Sequence, residues 1–423
     1  MNKDITAILK DTLFLTKSLD FFDGFRNPGI DYSIIACQSS VQLIEKYPNV
    51  YVDEVFRGKR VYTTSKIFLD ILQDSEEFKK YINKKYIWTY QAYPWTNDLK
   101  ISGKIVFAID YYLFLRLQNK LSQRKLLLEY SSTSDRWKEL RNSLENSIYK
   151  LRTKIFHKNQ FSYADLIRFY NGCFVICAST SNGGEGVYKI SSSDEYYQAI
   201  NSIKSPIIRT EYFIDKSIPA NQIGFITSNG TIVKYKPSIQ IIQNIHQDNK
   251  MEYAGCDFTS ENYFQESDKT ISGITKLTHL IGEILFSIGY RGTFGCDYLV
   301  HESEMHFIEI NPRYQASTLI PNIHLGNEEL IAPHILHILG FIDNSAQITQ
   351  QLEQYKKKDH FIDFIKPNKP IGFLNIYGES VNNLRSPLPN IEIEEGLSKG
   401  YFLSKISFIK NAYFPTKCFF PQL

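Results

Sequence analysis

The chain has 423 residues, 43% apolar and 22% charged, the proportions of an ordinary soluble globular protein large enough for two or three domains. A formal net charge of +3 gives no electrostatic case for nucleic acid or an anionic membrane, and the densest basic run, Lys356 to Lys358, reads as a solvated helix face. Six scattered cysteines at 37, 173, 177, 256, 296 and 418 form neither a zinc pattern nor a disulfide framework, which fits a reducing cytoplasm.

In chain order, the opening MNKDITAILK carries Asp4 and no apolar core, so no secretory leader is expected. Ile34, Ile35 and Ala36 suggest a first buried strand and VYVDEVF (50–56) a second. Helical periodicity runs from Thr64 to Tyr86, with Asp74 and Ser75 as a cap. Ile105 to Ile109 reads as another strand. The stretch from Ile105 to Leu117 is broken by Asp110 and Arg116, so no segment reaches the ~20 apolar residues of a membrane span. These elements describe an open α/β domain over 1–148 without a dinucleotide fingerprint.

After a polar, helical boundary, strands are expected at CFVICAS (173–179) and PIIRTEYFI (206–214). A hairpin follows over 222–242, turning at Asn229-Gly230. A helix is expected over 272–290. A second hairpin then joins GTFGCDYLV to HFIEINPR through a turn around Ser303. The tail beyond 340 contributes strands at 371–378 and 400–408.

The second hairpin carries the chemistry. Alternation along a strand puts Glu309 and Asn311 on one face, and Asp297 lies across from them if the hairpin closes as expected. Two carboxylates and a carboxamide oxygen suit a hard cation such as Mg²⁺, with Mn²⁺ an acceptable substitute. Arg313, two residues on, suits an anion carried by that metal. The plain alternative is a hairpin whose polar face meets water. The small-residue loop from Ser179 to Val187 follows a strand and could bring backbone N–H groups to phosphates, or be a glycine-rich turn. His279, His306 and His324 sit in apolar contexts and read as structural.

Together these segments resemble the ATP-grasp superfamily, in its biotin carboxylase-like branch. The resemblance is specific at EINPR and covers roughly 150–330. It implies an α/β (α+β) ATP-grasp fold: a pre-ATP-grasp domain over 1–148, an ATP-grasp domain over 149–340, and a small C-terminal domain over 341–423. It implies ATP and Mg²⁺ as cofactors, with the metal on Asp297, Glu309 and Asn311 and Arg313 facing the reactive phosphate. Gln315 and Ser317 would line the substrate pocket. Backbone groups of Asn182, Gly183 and Gly184 would hold phosphates, and Glu211, Tyr212, Phe213 and Ile214 would form the adenine hinge. Glu211 would serve the ribose or amino group, the plain alternative being an edge-strand carboxylate. Cys177 stands where many members place a phosphate-binding lysine, and the family's other lysine falls on Lys154 or Lys158, with Lys154 preferred.

The implied activity is that of a carboxylate–amine ligase working through an acyl phosphate on an amino acid or peptide. SIPANQIGFITSNGTIVKYKPSIQIIQ is similar to a segment of peptide-forming members. The alternatives are carboxylation through carboxyphosphate and a non-catalytic nucleotide binder. Gln243, Asn244 and Ile245 stand where carboxylating members carry a pocket lysine. Small-molecule or peptide substrates are the expected partners, with room for a homodimer and none for nucleic acid or membrane.

Overall fold

The computed structural model describes residues 3–18, 32–38, 50–52, 83–101, 103–180, 186–243, 250–258, 264, 266–318, 333–342, 372–377 and 401–407. Five strands, β1 (Thr12–Ser18), β2 (Ser33–Gln38), β3 (Val50–Val52), β4 (Tyr86–Thr89) and β5 (Ile105–Phe107), form a parallel sheet in the order β3-β2-β1-β4-β5. The strand expected around Ile34 is therefore the second. The central strand is β1, where Leu13, Phe14 and Leu15 are all buried, as a parallel sheet covered on both faces requires. Most of the helix expected over 64–86 lies outside the described residues, as do 53–56, and Tyr86 itself opens β4.

A second sheet, in the order β6-β9-β7-β8, is antiparallel: β6 (Lys154–His157), β7 (Phe174–Ala178), β8 (Val187–Ile190) and β9 (Ile207–Tyr212). The helices Tyr163–Tyr170 and Ser193–Ser202 pack in one cluster with Phe156, Phe174, Ile176 and Ile208 from the sheet. Each helix starts with a reciprocal capping box, Ser162 with Asp165 and Ser192 with Glu195, which satisfies two otherwise orphaned N–H groups. Strand parity sends Val175, Cys177, Arg209 and Glu211 to the opposite, uncovered face.

The third sheet has eight strands: β10 (Ile218–Ile226), β11 (Ile232–Lys234), β12 (Ser238–Gln243), β13 (Glu252–Asp257), β14 (Gly292–His301), β15 (Glu304–Asn311), β16 (Gly372–Tyr377) and β17 (Tyr401–Ser407). Its order is β15-β14-β10-β12-β13-β16-β17, with β11 pairing β10, so the expected tail strands extend this sheet through β13. The turn before β11 uses Gly230 at φ +87°, a conformation that favours glycine. The helix Ser267–Ser287 starts earlier than its periodicity suggests. It buries Ile271, Ile274, Leu277, Ile281, Ile284 and Leu285, an apolar stripe at helical spacing, each residue contributing roughly 1.5–3 kcal/mol of transfer free energy.

Strand β15 is the sheet's edge, and side chains from two helices complete it. Gln123 Nε2 donates to the Ile310 carbonyl at 2.7 Å, and its Oε1 accepts from the Ile310 N–H at 2.8 Å, copying a strand partner. Arg124 Nη2 donates to the Phe307 carbonyl at 2.8 Å, and Ser147 Oγ accepts from the Phe307 N–H at 3.0 Å. The edge is thereby closed to further pairing and β15 is fixed against the helices Ser122–Ser131 and Lys138–Lys150.

Candidate active site

Between the uncovered face of the second sheet and the β14–β15 hairpin lies a cavity of about 890 Å³. The hairpin closes through Glu302 and Ser303, both at positive φ (46° and 66°), and registers Asp297 directly opposite Glu309 and Gly295 opposite Asn311. That is the juxtaposition expected from the sequence. A β-bulge lies between Asp297 and Tyr298: Tyr298 faces Phe307, so Ile308 is the extra residue on β15. Strict alternation would put Phe307 on the face of Glu309. The bulge instead sends Phe307 into the core at 1% exposure and leaves Ile308 lining the cavity. Ile308 is thus a wall of the site.

Asp297 is held by three carboxamides. Its Oδ1 accepts from Asn221 Nδ2 at 2.6 Å and from Gln240 Nε2 at 3.2 Å, and its Oδ2 accepts from Asn311 Nδ2 at 2.9 Å. Even so, burial and the facing charge of Glu309 push the Asp297 carboxyl up to about 7. Burial presses Glu309 the same way, but Lys120, 2.8 Å from its Oε2, outweighs that and keeps it ionised below the usual range. Two facing carboxylates raise each other's cost, and Lys120 compensates Glu309 but not Asp297, which a bound cation would relieve. Among the described residues no group of three or more His, Cys, Asp or Glu gathers, so further ligands would be carbonyl, water or phosphate oxygens, as Mg²⁺ accepts.

Arg313 also lines the cavity, donating to the Tyr90 hydroxyl at 3.2 Å and to the Tyr314 carbonyl at 2.9 Å. Gln315 accepts from Asn221 Nδ2 at 2.9 Å, while its own buried Nε2 has no partner among the described residues. It lies flat over Gly295, where an added Cβ would stand 1.6 Å from that nitrogen, which accounts for the glycine. Ser317 donates to Asn221 Oδ1 at 3.4 Å. All three line the same cavity.

The hinge residues Tyr212, Phe213 and Ile214 line the cavity with Leu151, Val175 and Val187, giving an apolar slot. The N–H groups of Tyr212 and Phe213 are taken by the Leu151 and Cys173 carbonyls at 2.7 and 3.2 Å. Among the described residues this leaves Ile214 to offer a backbone donor to a base.

Glu211 lines the cavity, but the edge-strand reading of it fails. Strand β9 lies between β6 and β7, so it is not an edge, and the carboxylate is bound by Arg124, by Thr153 Oγ1 at 2.8 Å and by Arg209 at 3.5 Å. Burial opposes its charge, but the two guanidinium groups prevail and hold it below the usual carboxylate range. Its first task is to compensate buried cations. Glu211→Gln is expected to cost roughly 3–5 kcal/mol of stability, the penalty of breaking a buried ion pair, and denaturant unfolding of the two proteins measures it.

Lys154 does not line the cavity. Parity places it with Thr210 on the helix-covered face, and its ammonium lies 4.0 Å from the centre of the Phe169 ring. Lys158 donates to the Ile200 and Ile203 carbonyls at the end of a helix. The lysine that does reach the site is Lys120, in the turn before the helix Ser122–Ser131, and its backbone N–H is tied to the Ser179 carbonyl at 2.8 Å. Asn182, Gly183 and Gly184 lie outside the described residues. Asn221 and Gln240 were also missed, although a carboxamide inside an apolar strand was the available signal in each.

An ATP-grasp domain family matches residues 146–317, the span that holds both walls of this cavity. The chain carries an ATP-grasp domain. Its fold is that of solved ATP-grasp proteins: N5-carboxyaminoimidazole synthase of Aspergillus clavatus superposes with TM-score 0.56 at 10% identity, covering 88% of this chain and 83% of that one. Biotin carboxylase of Campylobacter jejuni gives TM-score 0.53 at 11% identity, covering 81% and 74%. At these identities the likeness is one of fold. An uncharacterized protein of Methanocaldococcus jannaschii is 29% identical over 201 residues, which span 44% of this chain and 45% of that relative. Among the described residues no helix is long and apolar enough to cross a membrane.

Proposed function

We propose that the protein is an ATP-dependent carboxylate–amine ligase that joins an amino acid or peptide carboxylate to an amine through an acyl phosphate. The observation that carries this reading is the facing of Asp297 and Glu309 on the cavity wall with Asn311 and Arg313 beside them, oxygen ligands for a cation next to a guanidinium for the anion that the cation carries. Two carboxylates with the Asn311 carboxamide fit Mg²⁺, which as a Lewis acid would offset charge on the transferring phosphoryl group. The apolar slot of Val175, Val187, Phe213 and Ile214 suits an adenine ring. That solved relatives of this fold were crystallised with ADP or an ATP analogue supports the assignment.

In this scheme Lys120 holds Glu309 ionised and in place, and Arg313, steadied by Tyr90, faces the substrate carboxylate. The unpartnered Gln315 Nε2 offers that substrate a donor. A carboxylate oxygen takes the terminal phosphoryl group and ADP leaves. The amine then attacks the acyl carbon, the C–O bond to the phosphoryl group breaks, phosphate leaves with that oxygen and its electron pair, and the amine gives up one proton. Charge on the phosphoryl group and the tetrahedral centre is what Arg313 is placed to stabilise.

ADP production measured across carboxylate and amine pairs tests the proposal. ADP release that needs both substrates, with stoichiometric amide, is expected. Release that needs bicarbonate instead would reassign the protein to carboxylation, and nucleotide binding without release under any pair would make it a binder.

A further inference from the structure

Two guanidinium groups share one carboxylate beneath the cavity. Arg124 and Arg209 both bind Glu211, while Lys120 takes Glu309. Among the described residues, Lys120, Arg124 and Arg209 therefore face only Glu211 and Glu309, leaving one positive charge in excess, and the neighbouring Arg313 and Asp297 at best cancel each other. Arg209 Nη2 meets Cys177 Sγ at 3.8 Å, but burial pushes that thiol up, so it supplies no negative charge. Arg209 is 1% exposed; its Nη1 donates to the Lys120 carbonyl at 3.2 Å, and its Nε has no partner among the described residues. A buried surplus cation with an orphaned N–H calls for an anion.

Register fixes where that anion comes. Cys177 and Arg209 are cross-strand partners on β7 and β9, on the cavity face, and both line the cavity. Cys177 is also the uncharged residue at the position where the resemblance read from the sequence would place a phosphate-binding lysine. We propose that Arg209 seats the terminal phosphate of the nucleotide, supplying from β9 the cation that β7 lacks. The seat rests on the reading of this cavity as the ATP site. Arg209 holds a fixed charge and moves no proton, so its effect falls on the phosphates and not on the base.

Calorimetric titration of the full chain with a magnesium-bound, non-hydrolysable ATP analogue and with AMP tests the seat. Arg209→Gln is expected to weaken the analogue about 10- to 100-fold, the loss of one charge-assisted contact, while AMP stays within a few-fold. Adding Cys177→Lys to that variant should restore at least tenfold of the loss, because position 177 lies directly across the strand pair. Cys177→Lys alone, where the seat is already filled, should bind the analogue no more tightly than the parent. Equal analogue binding by Arg209→Gln, equal loss of AMP, or no rescue by the second substitution would each overturn the proposal. If Arg209→Gln does not fold, the single Cys177→Lys variant decides: tenfold tighter binding would show the seat empty of a cation. A parent protein that binds neither ligand would overturn the ATP-site reading as well, whereas a parent that binds and an Arg209→Gln variant that binds equally sink this proposal alone.

Discussion

Glu309→Gln is expected to lower magnesium-dependent ADP release by about 10²- to 10³-fold, the scale of one electrostatic stabiliser removed from an active site. Glutamine keeps the shape of the side chain, and its carbonyl oxygen can still accept from Lys120, so the hairpin register should survive. What is lost is one charged ligand. The same change removes the charge that faces Asp297, whose carboxyl should then fall from about 7 toward the ordinary aspartate range. Turnover, its dependence on magnesium concentration, and the melting temperature of parent and variant are the three readings. Turnover within a few-fold of the parent would remove Glu309 from the metal site.

Arg313→Ala should lower turnover by roughly two to four orders of magnitude while ATP affinity changes little, because its charge is needed mainly once phosphoryl transfer begins. Arg313→Lys should recover only part of this, since an ammonium cannot present the planar fork of a guanidinium. The contacts of Arg313 sharpen the comparison. It is tied to Tyr90 from the first sheet's connections and to the Tyr314 carbonyl, so a merely structural arginine would cost melting temperature and leave the rate per folded molecule unchanged. Steady-state ADP production, ATP affinity and melting temperature on the same three proteins separate the outcomes. Lost ATP binding with unchanged melting would place Arg313 on the nucleotide instead.

The hairpin that carries Asp297, Glu309 and Asn311 was legible because its signals are local. Strand alternation, a short polar turn and the polar residues of EINPR all lie within twenty residues of one another. The bulge at Ile308 was not, because nothing in FIEIN marks which residue is extra; the choice is made by Phe307 finding the core beside Tyr298. Lys120 was hidden for a different reason. Its approach to Glu309 depends on the helix Ser122–Ser131 docking on β15 through Gln123, a contact 187 residues apart in sequence. Periodicity carries no information across such a distance. Lys154 looked eligible by type and neighbourhood, yet a single step of strand parity turns it to the helix-covered face with Phe169. The ion pairs of Glu211 were not legible either, because the guanidinium groups that bind it come from the helix Ser122–Ser131 and from its own strand two residues back.

Whether Asp297 and Glu309 hold the metal of a bound nucleotide can be measured without knowing either substrate. Mn²⁺ in place of Mg²⁺, titrated with a non-hydrolysable ATP analogue and followed by electron paramagnetic resonance, reports the bound metal itself. The parent should take up Mn²⁺ tightly only when the analogue is present, and Asp297→Asn and Glu309→Gln should each release it to solvent while melting as cooperatively as the parent. Uptake by both variants that matches the parent would contradict the assignment and place the metal, and with it the chemistry, elsewhere in the chain.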